Sequence, residues 1–150
     1  MRKCVRKWNA NCSYYSALGD DDAAYLLARA VQFFAPGIPQ VYYVGLLAWK
    51  NDLKLLEETK VGRNINRHYY DVEEVETEIQ RPVVKRLLKL MEFRNSHPAF
   101  DGKFILEPCK EEELRILRKN GDAWARLSAN LRTKTFEVTY SECGEERTLD

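Results

Sequence analysis

The residues best suited to chemistry lie close together in residues 61–70, which read VGRNINRHYY. Arg63, Arg67 and His68 offer several hydrogen-bond donors to a polar ligand. The segment follows an apolar run, and loops that open from strand ends are where α/β enzymes usually keep their ligand contacts. Taken alone, the pattern favours a structural role, in which Arg63 ties down its own loop through carbonyls or a carboxylate, and Arg67 and His68 pin it in place.

The acidic residues indicate helix capping rather than catalysis. Residues 20–22 and 73–78 fall at predicted helix starts and on helix faces, where solvation and the positive helix end explain them. We therefore assign no catalytic residue to this chain.

The cysteine and histidine content gives no sign of a metal centre. Cys4, Cys12, Cys109 and Cys143 lie far apart without a CxxC pair, and there are only two histidines. We expect reduced thiols, no metal and no cofactor.

The composition excludes several functional classes. Apolar residues make up 45% and charged residues 31%, as in an ordinary globular protein. With 24 basic and 23 acidic side chains the net charge is +1, so we expect no nucleic-acid partner. The apolar runs are too short to span a membrane and no signal segment opens the chain, so we expect a cytoplasmic protein without a membrane partner.

Helical periodicity dominates the part of the chain that must position these residues. Apolar residues at i, i+3, i+4 and i+7 predict a helix over 23–34, ended by Pro36 and Gly37. A short helix is expected over 52–58, another from Asp71, and a fourth from Pro82. The pair at 97–98, His-Pro, stops the fourth helix.

Strand signals appear in two places. The run GIPQVYYVG predicts a buried strand over residues 40–44, in which Tyr42 and Tyr43 point to opposite faces. After residue 101, alternating runs and the turn at Asn120 and Gly121 predict three or four antiparallel strands. We therefore divide the chain into residues 1–101 and 102–150.

Two motifs carry a family resemblance. GIPQVYYVG resembles the eighth-strand segment of the α-amylase type of glycoside hydrolase barrel, and GRNINRHYY with RPVVKRLLKLMEFRN is similar to the sucrose phosphorylases. The resemblance covers about residues 11–101. It implies an α/β fold in which the terminal portion of a (β/α)8 TIM barrel precedes a small, truncated antiparallel β domain. A whole barrel needs roughly 250 residues, so we expect a C-terminal fragment.

The resemblance also implies a reaction. Sucrose phosphorylases are glucosyltransferases that convert sucrose and phosphate to α-glucose 1-phosphate and fructose by a retaining double displacement. In the family the catalytic carboxylates lie at the ends of strands four, five and seven, upstream of the residues that match here. We therefore expect this chain to be inactive alone and to contribute to substrate binding only.

Three residues become substrate-binding candidates through the resemblance. Arg63 matches the family's arginine that hydrogen-bonds hydroxyls of the glucosyl unit in subsite −1. Trp8 and Asn9 stand where the family usually has a Tyr and a Gln on a mobile loop that approaches the phosphate or the fructose. Trp49 is a further departure, because the family normally has Gly at that position.

Several alternatives remain open. In the first alternative the chain is a stand-alone sugar-binding or interaction module. In the second it is a remnant without function. Within the enzyme class, a sucrose 6-phosphate or glucosylglycerate phosphorylase competes. A single barrel strand with bare edges would expose apolar surface, so we also expect the isolated chain to be partly native-like or to self-associate.

Overall fold

The computed structural model describes residues 11–149, with helices before residue 102 and strands after it. The α-helices are α1 (Tyr14–Ala17), α2 (Asp22–Phe34), α3 (Tyr43–Leu46), α4 (Leu53–Thr59), α5 (Val72–Glu78) and α6 (Pro82–Ser96). Two 3₁₀ turns cover Gly62–Asn66 and Pro98–Asp101. The strands are β1 (Lys103–Glu107), β2 (Glu113–Asn120), β3 (Ala123–Asn130), β4 (Thr135–Glu142) and β5 (Glu145–Thr148).

Helix α2 forms where its apolar spacing predicts it. The carboxylate of Asp21 accepts hydrogen bonds from the backbone N–H groups of Ala23 and Ala24 and so caps the helix. The helix ends at Phe34, because Ala35 takes the extended backbone that a residue before proline favours.

Helix α6 lies between two prolines. Pro82 occupies its first turn, and His97, which precedes Pro98, adopts the extended backbone that ends it. One face of the helix is buried and carries Val83, Val84, Leu87, Leu90 and Phe93.

The five strands form one antiparallel sheet in the order β1-β2-β3-β4-β5. Tight turns with positive φ join β2 to β3 at Gly121, and β4 to β5 at Cys143 and Gly144. The predicted number of strands, three or four, is therefore too low. Strand β5 reads EERT and is exposed throughout, so it has none of the alternating apolar residues by which sequence reveals a strand.

The core lies between the helices and one face of the sheet. Ile116, Leu127 and Val138 pair directly across β2, β3 and β4 and are almost fully buried. Helix α2 packs on α6 and on these strands, and the rings of Phe34 and Phe100 meet edge-on at 5.0 Å. One apolar cluster thus joins helices and sheet, and the division near residue 101 stays a prediction.

The strand predicted over residues 40–44 does not form. These residues are irregular until Tyr43, where the short helix α3 begins. A barrel strand needs parallel partners on both edges, and no other strand is described before residue 103. Nor do Tyr42 and Tyr43 point to opposite faces: both are partly exposed, and their rings lie 4.5 Å apart.

Candidate functional site

Arg63 lies on the exposed 3₁₀ turn Gly62–Asn66. Its guanidinium has no hydrogen-bond or ion-pair partner among residues 11–149. The sequence alone favoured a structural role in which Arg63 holds its own loop. Residues 11–149 show no contact of that kind. The exposed side chain stays a candidate for ligand binding.

The turn is held by contacts that do not involve Arg63. The backbone N–H of Asp52 donates to the carbonyl of Ile65 at 2.7 Å, and the Asn64 amide donates to Thr59 Oγ1 at 3.0 Å. The Asn66 amide donates to the Cys12 carbonyl at 3.3 Å. The backbone around Arg63 is thus fixed from several sides.

The other two predicted site residues, Trp8 and Asn9, lie outside the described residues. The chain that follows them in sequence can be placed, since Cys12 contacts the turn through Asn66. Residues 11 and 12 therefore lie against the two ends of the turn, Asn11 near Gly62 and Cys12 at Asn66.

His68 lies at the end of the same segment and faces two carboxylates. Its Nδ1 is 2.6 Å from Asp52 Oδ2, and its Nε2 is 3.0 Å from both oxygens of Glu74. Asp52 also caps α4, because its other oxygen accepts from the Leu55 N–H at 2.8 Å. The imidazole therefore bridges the starts of α4 and α5.

These contacts shift the pKa values of His68 and Asp52. Burial by itself lowers the pKa of His68, but the hydrogen bonds to Asp52 and Glu74 outweigh it and raise that pKa above its usual value. For Asp52, burial raises the pKa, while the Leu55 N–H and His68 lower it, and the net direction is downward. Asp52 is accordingly ionised at neutral pH.

An aromatic cluster surrounds His68. The Trp49 ring stacks on the imidazole with centroids 4.5 Å apart, and the Tyr70 ring meets it edge-on at 4.7 Å. The Tyr43 hydroxyl donates to the His68 carbonyl at 3.0 Å. His68 thus pins the loop as predicted, whereas Arg67 is exposed and makes no such contact among the described residues, so its role stays a prediction.

A cleft of about 500 Å³ opens beside this cluster. Apart from Leu53, its lining residues are polar or aromatic: Trp49, Lys50, Asn51, Asp52, Lys54, His68, Glu78 and Arg81. The two carboxylates in it are both engaged, Asp52 with His68 and Glu78 with Arg81 at 2.5 Å. The cleft is thus equipped to bind polar groups and offers no free pair of acids for bond cleavage.

Sequence reasoning missed the partners of His68. Asp52 lies 16 residues before it and Glu74 six residues after it. Asp52 caps α4, and Glu74 stands at capping-box spacing from Asp71, so the sequence offers another explanation for each. The only signal was the deviation at Trp49, which indicated that a large ring must find a place to pack.

The described residues show neither a metal site nor a membrane span. Nowhere in residues 11–149 do three or more His, Cys, Asp or Glu side chains gather as ligands. None of the helices in that range combines the length and apolar character required to cross a bilayer.

Comparisons with known proteins identify the family. No protein-family model matches the sequence. The sucrose phosphorylase of Agrobacterium vitis is 60% identical over 136 residues, 91% of this chain and 28% of that protein. The glucosylglycerol phosphorylase of Marinobacter adhaerens is 51% identical over 145 residues, 95% of this chain and 30% of that protein.

A solved structure agrees with the sequence matches. The crystal structure of sucrose 6F-phosphate phosphorylase from Thermoanaerobacter thermosaccharolyticum superimposes with a TM-score of 0.90 at 52% identity, covering 92% of this chain and 28% of that one. The chain belongs to the sucrose phosphorylase family of glycoside hydrolase family 13 and corresponds to a C-terminal segment of it. It spans under a third of the length of these relatives. The predicted fold class is confirmed at this level, although the barrel strand is not formed.

Proposed function

We propose that this chain supplies part of the glucose-binding wall of a sucrose phosphorylase-like glucosyltransferase, with Arg63 as the residue that binds the sugar. The observation that carries this proposal is the state of Arg63: its guanidinium is exposed and unpaired among the described residues, on a turn fixed by other groups. A free guanidinium on a rigid backbone presents several N–H donors in a set geometry.

The reaction proposed for the complete site is a retaining double displacement. A carboxylate attacks the anomeric carbon of sucrose while an acid protonates the departing fructose oxygen. Phosphate then attacks the glucosyl-enzyme bond, which gives α-glucose 1-phosphate and releases the carboxylate. Sucrose, phosphate and glucose 1-phosphate are thus the proposed ligands.

Arg63 acts on the part of the substrate common to both steps. Its N–H groups donate to hydroxyls of the glucosyl unit, and a hydrogen bond to a charged group contributes about 1.5 to 3 kcal/mol. This corresponds to roughly ten- to a hundredfold in affinity or in kcat/KM.

The catalytic carboxylates are proposed to lie outside this chain. The acids around His68 and in the cleft support this view, because Asp52 and Glu74 are occupied by His68 and Glu78 by Arg81. We therefore expect no phosphorolysis of sucrose by the isolated chain.

The acceptor and the compartment are separate parts of the proposal. Relatives named for sucrose, sucrose 6F-phosphate and glucosylglycerol match this chain at similar identity, so a phosphorylase with another acceptor is a competing assignment.

A cytoplasmic location is supported by Cys12, Cys109 and Cys143, which are free thiols.

An exchange of segments tests the proposal. The matching segment of the Agrobacterium vitis sucrose phosphorylase would be replaced by this chain, and phosphate-dependent release of glucose 1-phosphate would be measured. We expect an active chimera in which Arg63→Ala lowers kcat/KM for sucrose by about ten- to a hundredfold. Arg132→Ala, at the β3–β4 turn where Arg132 pairs with Glu112, is the matched control and should change it less than twofold.

Two results would count against the assignment. An Arg63→Ala chimera as active as its parent would remove the proposed role of Arg63. Turnover of sucrose by the isolated 150-residue chain would show that the catalytic groups lie within it. Glucose binding by the isolated chain without any contribution to a chimera would favour the stand-alone module instead.

A further inference from the structure

The two nitrogens of His68 each face a carboxylate. Nδ1 lies 2.6 Å from Asp52, and Nε2 lies 3.0 Å from both oxygens of Glu74. An ionised carboxylate only accepts hydrogen bonds, and a neutral imidazole has one N–H to give. Both contacts are therefore satisfied together only when His68 carries two protons.

The bridge closes the segment that bears Arg63. Asp52 lies at one end of that segment and His68 at the other, and the Asp52 N–H also donates to the carbonyl of Ile65 within the turn. Glu74 extends the link to the first turn of α5. The protonated imidazole thus joins both ends of the 17-residue segment 52–68, which contains α4 and the turn of Arg63, to helix α5.

We propose that protonated His68 is a positioning residue for sugar binding: through Asp52 it holds the turn of Arg63 in place, and neutral His68 lets that turn loosen. This inference rests on the proposed sugar-binding role of Arg63. His68 acts on the loop and Arg63 acts on the sugar, so the two can be tested apart.

The surroundings of His68 determine the direction of the pH effect. The further titratable or charged groups around the bridge are Tyr43 of α3, Lys54 of α4, Arg67, Tyr70, Glu78 of α5 and Arg81. Asp52 and Glu74 make direct contact, and they raise the pKa of His68 above about 6.5 despite its burial. The stacked Trp49 face also favours a cation.

The sign of the effect follows from this raised pKa. The contribution of the bridge is complete below the ordinary histidine value and is lost as the pH rises through the raised one. The pKa of Asp52 is lowered, so its charge persists throughout this range. Sugar binding should therefore weaken from mildly acidic towards alkaline pH.

The test uses the 150-residue chain and methyl α-D-glucoside, a probe that does not itself titrate. We expect the Kd of the wild-type chain, measured between about pH 5.5 and 9.5, to rise about three- to tenfold across the titration of His68. His68→Gln should bind weakly at every pH. His97→Gln is the matched control. In the described residues the hydrogen-bond partners of the His97 ring are two backbone groups, the Ser141 carbonyl and the Ala99 N–H. This variant should keep the pH dependence of the wild type.

A second variant separates positioning from mere folding. Glu74→Gln keeps the size of the side chain and the backbone cap but removes one of the two charges that favour protonated His68. We expect the midpoint of the binding profile to move to lower pH, together with the His68 pKa read by NMR from its ring protons. A purely structural role for Glu74 would weaken binding at all pH values and leave the midpoint in place.

The outcomes distinguish this inference from the function on which it rests. If Arg63→Ala leaves glucoside binding unchanged, the proposed function fails and the link to sugar fails with it. If the wild-type chain binds no glucoside, the link between His68 and sugar binding is overturned, and the activity of the chimera decides the proposed function. If Arg63 matters but His68→Gln retains the wild-type profile, only the positioning role is overturned. Hydrogen exchange at the Asp52 amide tests the loop without sugar: equal exchange in wild type and His68→Gln at pH 6 would also overturn it.

Discussion

The ring of Trp49 lies almost parallel to the imidazole of His68, with centroids 4.5 Å apart and planes inclined by 24°. The Tyr70 ring closes the group, edge-on to both at 5.3 Å from Trp49 and 4.7 Å from His68. Trp49, where the family resemblance implies glycine, thus packs directly on the residue that bridges α4 and α5. Trp49 is therefore part of the support for the candidate site.

Removing the indole should loosen this support. We expect Trp49→Gly to lower the free energy of unfolding by about 1 to 3 kcal/mol, since two aromatic contacts of about 0.5 to 1.5 kcal/mol each are lost. Trp49→Phe keeps a ring and should lose less. Urea titrations followed by far-UV circular dichroism would measure both, and equal stability of Trp49→Gly and wild type would show that the stack contributes nothing.

Gly102 connects the helical part to the sheet and admits no side chain. A Cβ there would collide with the backbone carbonyl of Lys119 on β2, which cannot move without disturbing its pairing with β1 and β3. We expect Gly102→Ala to cost about 2 kcal/mol or more. In Gly62→Ala the new Cβ meets only Asn11 at an ordinary 3.6 Å, so this variant should be within about 0.5 kcal/mol of wild type. Thermal unfolding compares them, and similar losses would contradict this explanation.

Exposed apolar side chains occur at the predicted barrel strand and in the residues that follow it. Ile38 is 97% exposed, and Tyr42, Leu53, Tyr69 and Val72 are each more than half exposed. We expect the isolated chain to self-associate through this surface, with sedimentation equilibrium giving a mass above that of a monomer at micromolar concentrations.

A charge on this surface should oppose the association. Ile38→Asp should shift the chain towards monomer, whereas Leu131→Asp, at an exposed apolar position after β3, should not. A wild-type chain that stays monomeric and unfolds in one sharp transition would refute both the association and the expectation of a partly native-like fragment.

Local signals in the sequence predicted most of the helices. The spacing before Phe34, the caps at Asp21 and Asp71 and the prolines around α6 determine structure within a few residues, and each was predicted correctly. Residues 40–44 have the composition of a strand, but a strand exists only with partners to pair with, and none is described near them.

The candidate site also has one part that the sequence predicted and one part that it did not. Arg63 was predicted as a sugar-binding residue because it stands in a motif that carries the family resemblance, and that role stays a prediction. The bridge at His68 was not, because its carboxylates belong to two different helix starts that only the folded loop brings together. Chain-distant contacts of this kind leave no regular spacing in the sequence.

The most direct test of the central claim is the binding of methyl α-D-glucoside by the chain at pH 6, measured by NMR titration with and without Arg63→Ala. We predict saturable binding that weakens about ten- to a hundredfold in the variant, while Arg132→Ala binds as the wild type does. Binding that is the same in Arg63→Ala as in the wild type would contradict the assignment of this turn to the glucose site.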